Sequence, residues 1–171
     1  MDLAVFDPTL FAIYFVACAA AGATGGAFPP GAWYETLAKP SWTPPDWLFP
    51  LAWTVLYLSM SWAGMRVSLA LEGVGGEAAS GVARYAPALW ALQIALNTLW
   101  TPIFFGLQRI GGALVVIGLL WAAVAACTAV FFMVDTVSGW LFTPYLAWVS
   151  YAAALNAAIY ARNPAGRSSA A

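Results

Sequence analysis

Charged residues are so few and so widely spaced that they cut the chain into long uncharged runs. These runs are 8–34, 47–65, 85–108, 110–134 and 136–161. Each reaches the roughly 18–20 residues that a helix needs to cross a hydrocarbon core about 30 Å thick. The expected fold is an all-α integral membrane protein: a five-transmembrane-helix bundle, one domain over residues 1–171. The predicted helices cover about 8–28, 46–66, 84–105, 110–134 and 140–162. Composition agrees, with 63% hydrophobic and 8% charged residues, where soluble domains carry about a quarter charged. The first run is read as a span and not a cleavable leader, because only Asp2 and Asp7 precede it and its apolar stretch is too long.

Between the first two runs lies a segment of different character, Trp33 to Pro50, WYETLAKPSWTPPDWLFP. Prolines at 40, 44, 45 and 50 forbid a continuous helix, since each removes a backbone donor and restricts its predecessor. Irregular backbone cannot face lipid, so residues 29–45 are expected to form an ordered loop capping the bundle. The residues alone allow two roles, an interfacial loop with aromatic anchors or a lid over a ligand pocket.

Helical spacing then sorts the apolar runs into faces. In the first helix Cys18, Gly22 and Gly26, beside Ala17, Ala21 and Gly25, form stripes of small residues that admit a close helix neighbour. In the second, Asp46 is the predicted N-cap, and Trp53, Leu56, Tyr57 and Met60 share a face. The stretch from Arg66 to Arg84, with GVGGEAASG inside it, reads as the soluble-looking loop. In the third helix Gln93, Asn97 and Trp100 project to one side, either as interhelical hydrogen-bonding groups or as pocket lining. Pro102 should bend or end this helix. Trp121 in the fourth helix is assigned to ordinary packing, and Tyr145, Trp148, Ala152 and Asn156 line one stripe of the fifth. Cys18 and Cys127 fall in mid-run and read as packed thiols.

The absences narrow the chemistry. With no histidine there is no imidazole-ligated haem, no histidine-built zinc site and no Ser-His or Cys-His nucleophile. All thirteen charges fall at termini, loops or predicted helix ends, which argues against an ion-coupled pump and against acid–base catalysis. No nucleic-acid partner is expected. What remains is aromatic, with ten tryptophans. Interfacial belts account for Trp33, Trp47, Trp90 and Trp140. Trp53, Trp100 and Trp148 share faces with polar and small residues instead, the pattern of a cavity for a flat, largely apolar ligand such as a steroid or tetrapyrrole.

The segment WYETLAKPSWTPPDWLFPLAWTVLY, followed by NTLWTPIFFGLQR (Asn97 to Arg109) and PYLAWVSYAAALN (Pro144 to Asn156), resembles the signature of the translocator protein family. The same family is known as tryptophan-rich sensory proteins or peripheral-type benzodiazepine receptors, and the chain looks like a bacterial member. The resemblance spans almost the whole chain. It implies a pocket open toward the first loop that binds porphyrins such as protoporphyrin IX, sterols in some members, and isoquinoline carboxamide and benzodiazepine drugs. Carried over position by position, the pocket residues are Tyr34, Trp42 and Pro45 of the loop, with Trp53, Tyr57, Asn97, Trp100, Trp148 and Ala152 from the helices. Two departures stand out. The region after the QR turn, Ile110 to Ala113, lacks the aromatic often found there, and the sterol-recognition spacing of Leu155, Tyr160 and Arg162 is degenerate.

The function expected from this resemblance is a tetrapyrrole-binding membrane receptor or transporter that regulates stress or pigment metabolism. No obligatory cofactor is implied; porphyrin enters as ligand, and the partners are the lipid bilayer and a second copy in a homodimer, with Ala91 and Ala95 as a close-approach seam. Two alternatives are a light-dependent porphyrin-degrading activity, with indoles as photochemical electron donors, and a structural subunit of a membrane complex. Lys39, Arg109, Arg162 and Arg167 lie on one side of the predicted spans, against Arg66 and Arg84 on the other. That bias puts the first loop and the C-terminus in the cytoplasm if the protein resides in a bacterial inner membrane, with an outer-membrane location left open.

Overall fold

The computed structural model describes residues 6–73 and 81–164. Helix α1 (Pro8–Ala27) begins where Pro8 takes the first-turn position and the Asp7 carboxylate accepts the Leu10 N–H at 2.9 Å. It ends at Phe28, ahead of Pro29 and Pro30. The proline-rich segment that follows holds a short helix, α2 (Ala32–Thr36), before the four prolines take over.

Helix α3 (Leu48–Gly73) departs from expectation at both ends. Asp46 is not its N-cap: the chain turns there, the Leu48 N–H donating to the Pro45 carbonyl and the Phe49 N–H to the Asp46 carbonyl. At the other end the helix continues well past Arg66. The Arg66 guanidinium donates two hydrogen bonds, 2.8 and 3.0 Å, to the Asp135 carboxylate, so its charge is neutralised inside the bundle and need not end the helix. The expectation that every charge sits at a helix end is therefore corrected at Arg66. The predicted loop over 66–84 shrinks as well, since residues 81–85 form a 3₁₀ turn running into the next helix. Residues 74–80, which hold most of GVGGEAASG, lie outside the described residues.

Helix α4 (Ala86–Thr101) does not simply stop at Pro102. The backbone widens into a π-turn over Pro102–Gly106, closed by the Leu107 N–H on the Pro102 carbonyl at 2.8 Å. Gln108 then takes a left-handed conformation (φ 56°) and reverses the chain into α5 (Ile110–Val134). Asp135 ends α5 and at once caps α6 (Thr136–Arg162), accepting the Ser138 N–H at 3.0 Å. This one-residue joint starts α6 four residues ahead of the predicted position.

Helix α5 packs along α6 and α4, α1 along α3, and α3 along α6. Their shared core has Met60, Cys127, Phe131, Phe142 and Tyr145 wholly buried, and both cysteines are free, buried thiols. Gly64 lets α1 and α3 close up: a Cβ there would stand 2.6 Å from the Tyr14 ring. Tyr14 consequently reaches Ser68 with its hydroxyl (2.7 Å) and meets Trp90 edge-on at 4.6 Å. Trp90 is thus not the interfacial anchor that the sequence pattern predicts. It is 4% exposed and donates its indole N–H to the Met60 carbonyl, so packing against α1 and α3 overrides the belt pattern.

Among the described residues four stretches are long and apolar enough to cross a membrane: Pro8–Ala27, Leu48–Gly73, Gly81–Gly106 and Ile110–Val134. The sequence predicted five. Helix α6 has the length, 27 residues, but carries Thr143, Tyr145, Ser150, Tyr151 and Asn156 along it, which lowers its apolar character.

Candidate functional site

At the end of the bundle next to residues 28–46, the helices part around a cavity of about 640 Å³, a size typical of small-molecule sites. Three indoles wall it. Trp53 stacks on Tyr57 at 5.1 Å, Trp100 stacks on Phe104 at 5.0 Å, and Trp148 meets the edge of Phe49 at 5.8 Å. Helix α1 contributes Gly22, Gly25 and Gly26. The Gly22 position matters for the opposite wall, because a Cβ there would press the Tyr57 ring at 3.1 Å. Helix α5 supplies Ile117 and Leu120, and none of residues 110–113 lines the space.

Two amides organise the polar side. The Tyr57 hydroxyl donates to Asn97 Oδ1 at 3.0 Å, which turns Asn97 Nδ2 toward the Tyr145 hydroxyl at 3.1 Å. One carboxamide on α4 thereby joins α3 to α6. Asn156 accepts the Trp100 indole N–H at 3.1 Å and donates to the Ile110 carbonyl at 3.2 Å, which fixes the Trp100 ring plane. Gln93 does not join this set: it is buried outside the lining, with neither amide atom hydrogen-bonded among the described residues.

The segment between α1 and α3 supplies Pro30, Tyr34, Glu35 and Asp46 to the lining. Tyr34 is buried edge-on against Phe104 and Phe105, and Lys39 lies 4.1 Å over its ring while donating to its carbonyl. Burial pushes the Tyr34 hydroxyl above its ordinary pKa, and the negative charges of Asp46 and Glu35 push it further in the same direction. Farther along, Asn163 at the end of α6 grips Ala38 with both ends of its amide, accepting its N–H (3.0 Å) and donating to its carbonyl (3.2 Å). The Tyr151 hydroxyl donates to the Trp42 carbonyl at 2.6 Å.

Of the residues singled out in the sequence, Tyr34, Trp53, Tyr57, Asn97, Trp100, Trp148 and Ala152 come together around the cavity. Trp42 and Pro45 do not. They line a shallow groove on the far side of Trp148 with Pro144 and Tyr151, because the Pro44–Pro45 pair carries the segment outward across α6, and Trp42 is 45% exposed. Sequence reasoning passed over Phe49, Phe104 and Phe105 as lining. The last two stand inside the NTLWTPIFFG motif, within the π-turn, and both line the cavity. It also passed over the two carboxylates at the rim.

The sequence profile of the TspO/MBR family matches residues 14–162. The chain belongs to this family. Protein CrtK of Rhodobacter capsulatus is 55% identical over 157 residues, covering 91% of this chain and 94% of that protein. The tryptophan-rich sensory protein of Cereibacter sphaeroides is 48% identical over 150 residues, 88% of this chain and 89% of its own. Human translocator protein is 37% identical over 131 residues, 77% and 75% of the two chains. Family membership, with the apolar helices, makes this a multi-pass membrane protein and supports a sensory or translocator role.

Proposed function

We propose that the protein is a membrane receptor or transporter for tetrapyrroles, protoporphyrin IX and related haem precursors, and through them regulates stress or pigment metabolism. The observation that carries this reading is the cavity whose walls include Trp53, Trp100 and Trp148 and whose polar groups away from the Glu35 and Asp46 carboxylates include amides and phenols. A flat macrocycle stacks on indoles, and its polar edge finds donors and acceptors in Tyr57, Asn97 and Asn156. In this reading the segment over 29–45 is the lid, α6 is the fifth span, and the functional unit in the bilayer is a homodimer. Isoquinoline carboxamide and benzodiazepine drugs would compete for the same space, sterols less so given the degenerate spacing at the end of α6.

Titration of the purified protein with protoporphyrin IX tests this. Tryptophan fluorescence should be quenched beyond the quenching of free tryptophan, and Trp53→Phe and Trp148→Phe should each weaken the effect. Quenching equal to that of free tryptophan and unchanged in both variants would end the proposal.

A further inference from the structure

Two spaces adjoin at Trp148. Among the described residues it alone lines both the cavity of about 640 Å³ and the neighbouring groove of about 730 Å³, so its side chain belongs to the partition between them. The indole hydrogen bonds set it apart from other tryptophans. Trp90, Trp100 and Trp121 each donate the ring N–H to an acceptor on another helix. No such bond holds Trp148 among the described residues, and its ring meets Phe49 edge-on at 5.8 Å and Tyr151 at a tilt at 6.1 Å. Turning this indole aside breaks apolar contacts and no hydrogen bond.

The groove has the character of a surface against lipid. No charged residue lines it among those described, and its α6 wall, Pro144 and Ala147, is exposed. Tyr151 and Pro144 stand 11 and 18 residues before Arg162, the end of α6, which is about 16–27 Å along the helix. A spanning α6 puts that stretch within the hydrocarbon. The other wall suits the same depth. Pro44 and Pro45 have no N–H to leave unpaired, and the Tyr151 hydroxyl satisfies the Trp42 carbonyl at 2.6 Å.

We propose that this groove is the bilayer-side entrance to the cavity: a flat ligand dissolved in the membrane seats its ring against Trp42 and the prolines, and passes inward as Trp148 turns aside. This rests on the tetrapyrrole reading above, with α6 as a span. An amphipathic macrocycle keeps its carboxyl edge at the headgroups and its ring in the hydrocarbon, so the ring and not the charges meets the groove.

Stopped-flow quenching of tryptophan by protoporphyrin IX, with the protein in phosphatidylcholine vesicles, tests the entrance. Ala147→Phe fills the groove, and Tyr151→Phe releases the Trp42 carbonyl; neither residue lines the cavity. A side chain met only on the way in changes the barrier and not the end states, so both rate constants shift by one factor and Kd stays constant. Ala147→Phe should slow association and dissociation about tenfold, within the one to three decades over which association rates vary among related complexes. Tyr151→Phe should speed both. Rate constants that neither variant alters overturn the entrance and leave the tetrapyrrole reading standing. A second porphyrin per chain, lost in Ala147→Phe while the rates of the first stay unchanged, makes the groove a separate site and also overturns the entrance. Absence of binding to the wild type overturns the tetrapyrrole reading and the entrance with it.

Discussion

Replacing Asn97 with leucine removes a carboxamide that hydrogen-bonds to both α3 and α6 beside the cavity. Leucine matches asparagine closely enough in size that packing is largely kept, so the change reads mainly the two hydrogen bonds. Each is worth about 0.5–1.5 kcal/mol in water-soluble proteins, and nearer 0.6 kcal/mol between helices in a membrane. The partners then fare differently. Tyr57 faces the cavity, where its hydroxyl can be hydrated. Tyr145 is 0% exposed, and its one hydrogen bond among the described residues is to Asn97. Stranding that hydroxyl costs about 1–3 kcal/mol. The total for Asn97→Leu is a loss of about 2–4 kcal/mol. Reversible unfolding in mixed micelles, followed by tryptophan fluorescence, gives the number. The decisive arm is Tyr145→Phe, which should cost stability in the wild type but restore about 1–2 kcal/mol in the Asn97→Leu background, where it deletes the stranded group. Equal effects of Tyr145→Phe in the two backgrounds would show that the hydroxyl does not depend on Asn97, and the reasoning would fall.

The joint between α3 and the α5–α6 corner should be acid-sensitive. The Arg66 hydrogen bonds hold the Asp135 carboxyl down at about 2, against an ordinary 3.8, with Ser138 adding to the effect and partial burial opposing it. A carboxyl lowered in the folded state stabilises it above its unfolded pKa, so this contribution, up to about 2 kcal/mol, is present above pH 3.8 and drains away as pH falls toward 2. Melting temperatures of wild type and Asp135→Asn, measured from pH 6 to pH 2, should differ at the upper end and converge at the lower. Asn163→Ala removes the grip on Ala38, and hydrogen exchange at the Ala38 amide should speed up at least tenfold while exchange in α5 stays unchanged.

Uncharged run length located the helices, because the demand that lipid makes on the backbone is visible one residue at a time. The same reasoning ended α3 at Arg66 because a lone arginine is costly inside a bundle, and its partner Asp135, 69 residues away, cannot be read from local spacing. Trp90 failed for a related reason. An indole near the predicted end of a span looks like a belt residue until Gly64 and Tyr14 are seen to bring α1 and α3 together around it. The cavity walls were more legible. Trp53 with Tyr57, and Trp148 with Ala152, follow from helical periodicity, which brings residues three or four apart to one face. Trp42 and Pro45 share the loop with Tyr34, yet the path of a proline-rich segment is decided by its tethers to α6, and those are tertiary.

The amide of Asn163 meets Ala38 across 125 positions of sequence. Synthesis runs from the N-terminus, so the proline-rich segment is made 125 positions ahead of its clasp. Until the final turn of α6 is made, the segment is held by Tyr34 against Phe104 and Phe105 and by Tyr151 on the Trp42 carbonyl, without its tether at Ala38. A copy cut short before residue 163 would keep the tryptophans of the site and lose the amide that ties Ala38 to α6.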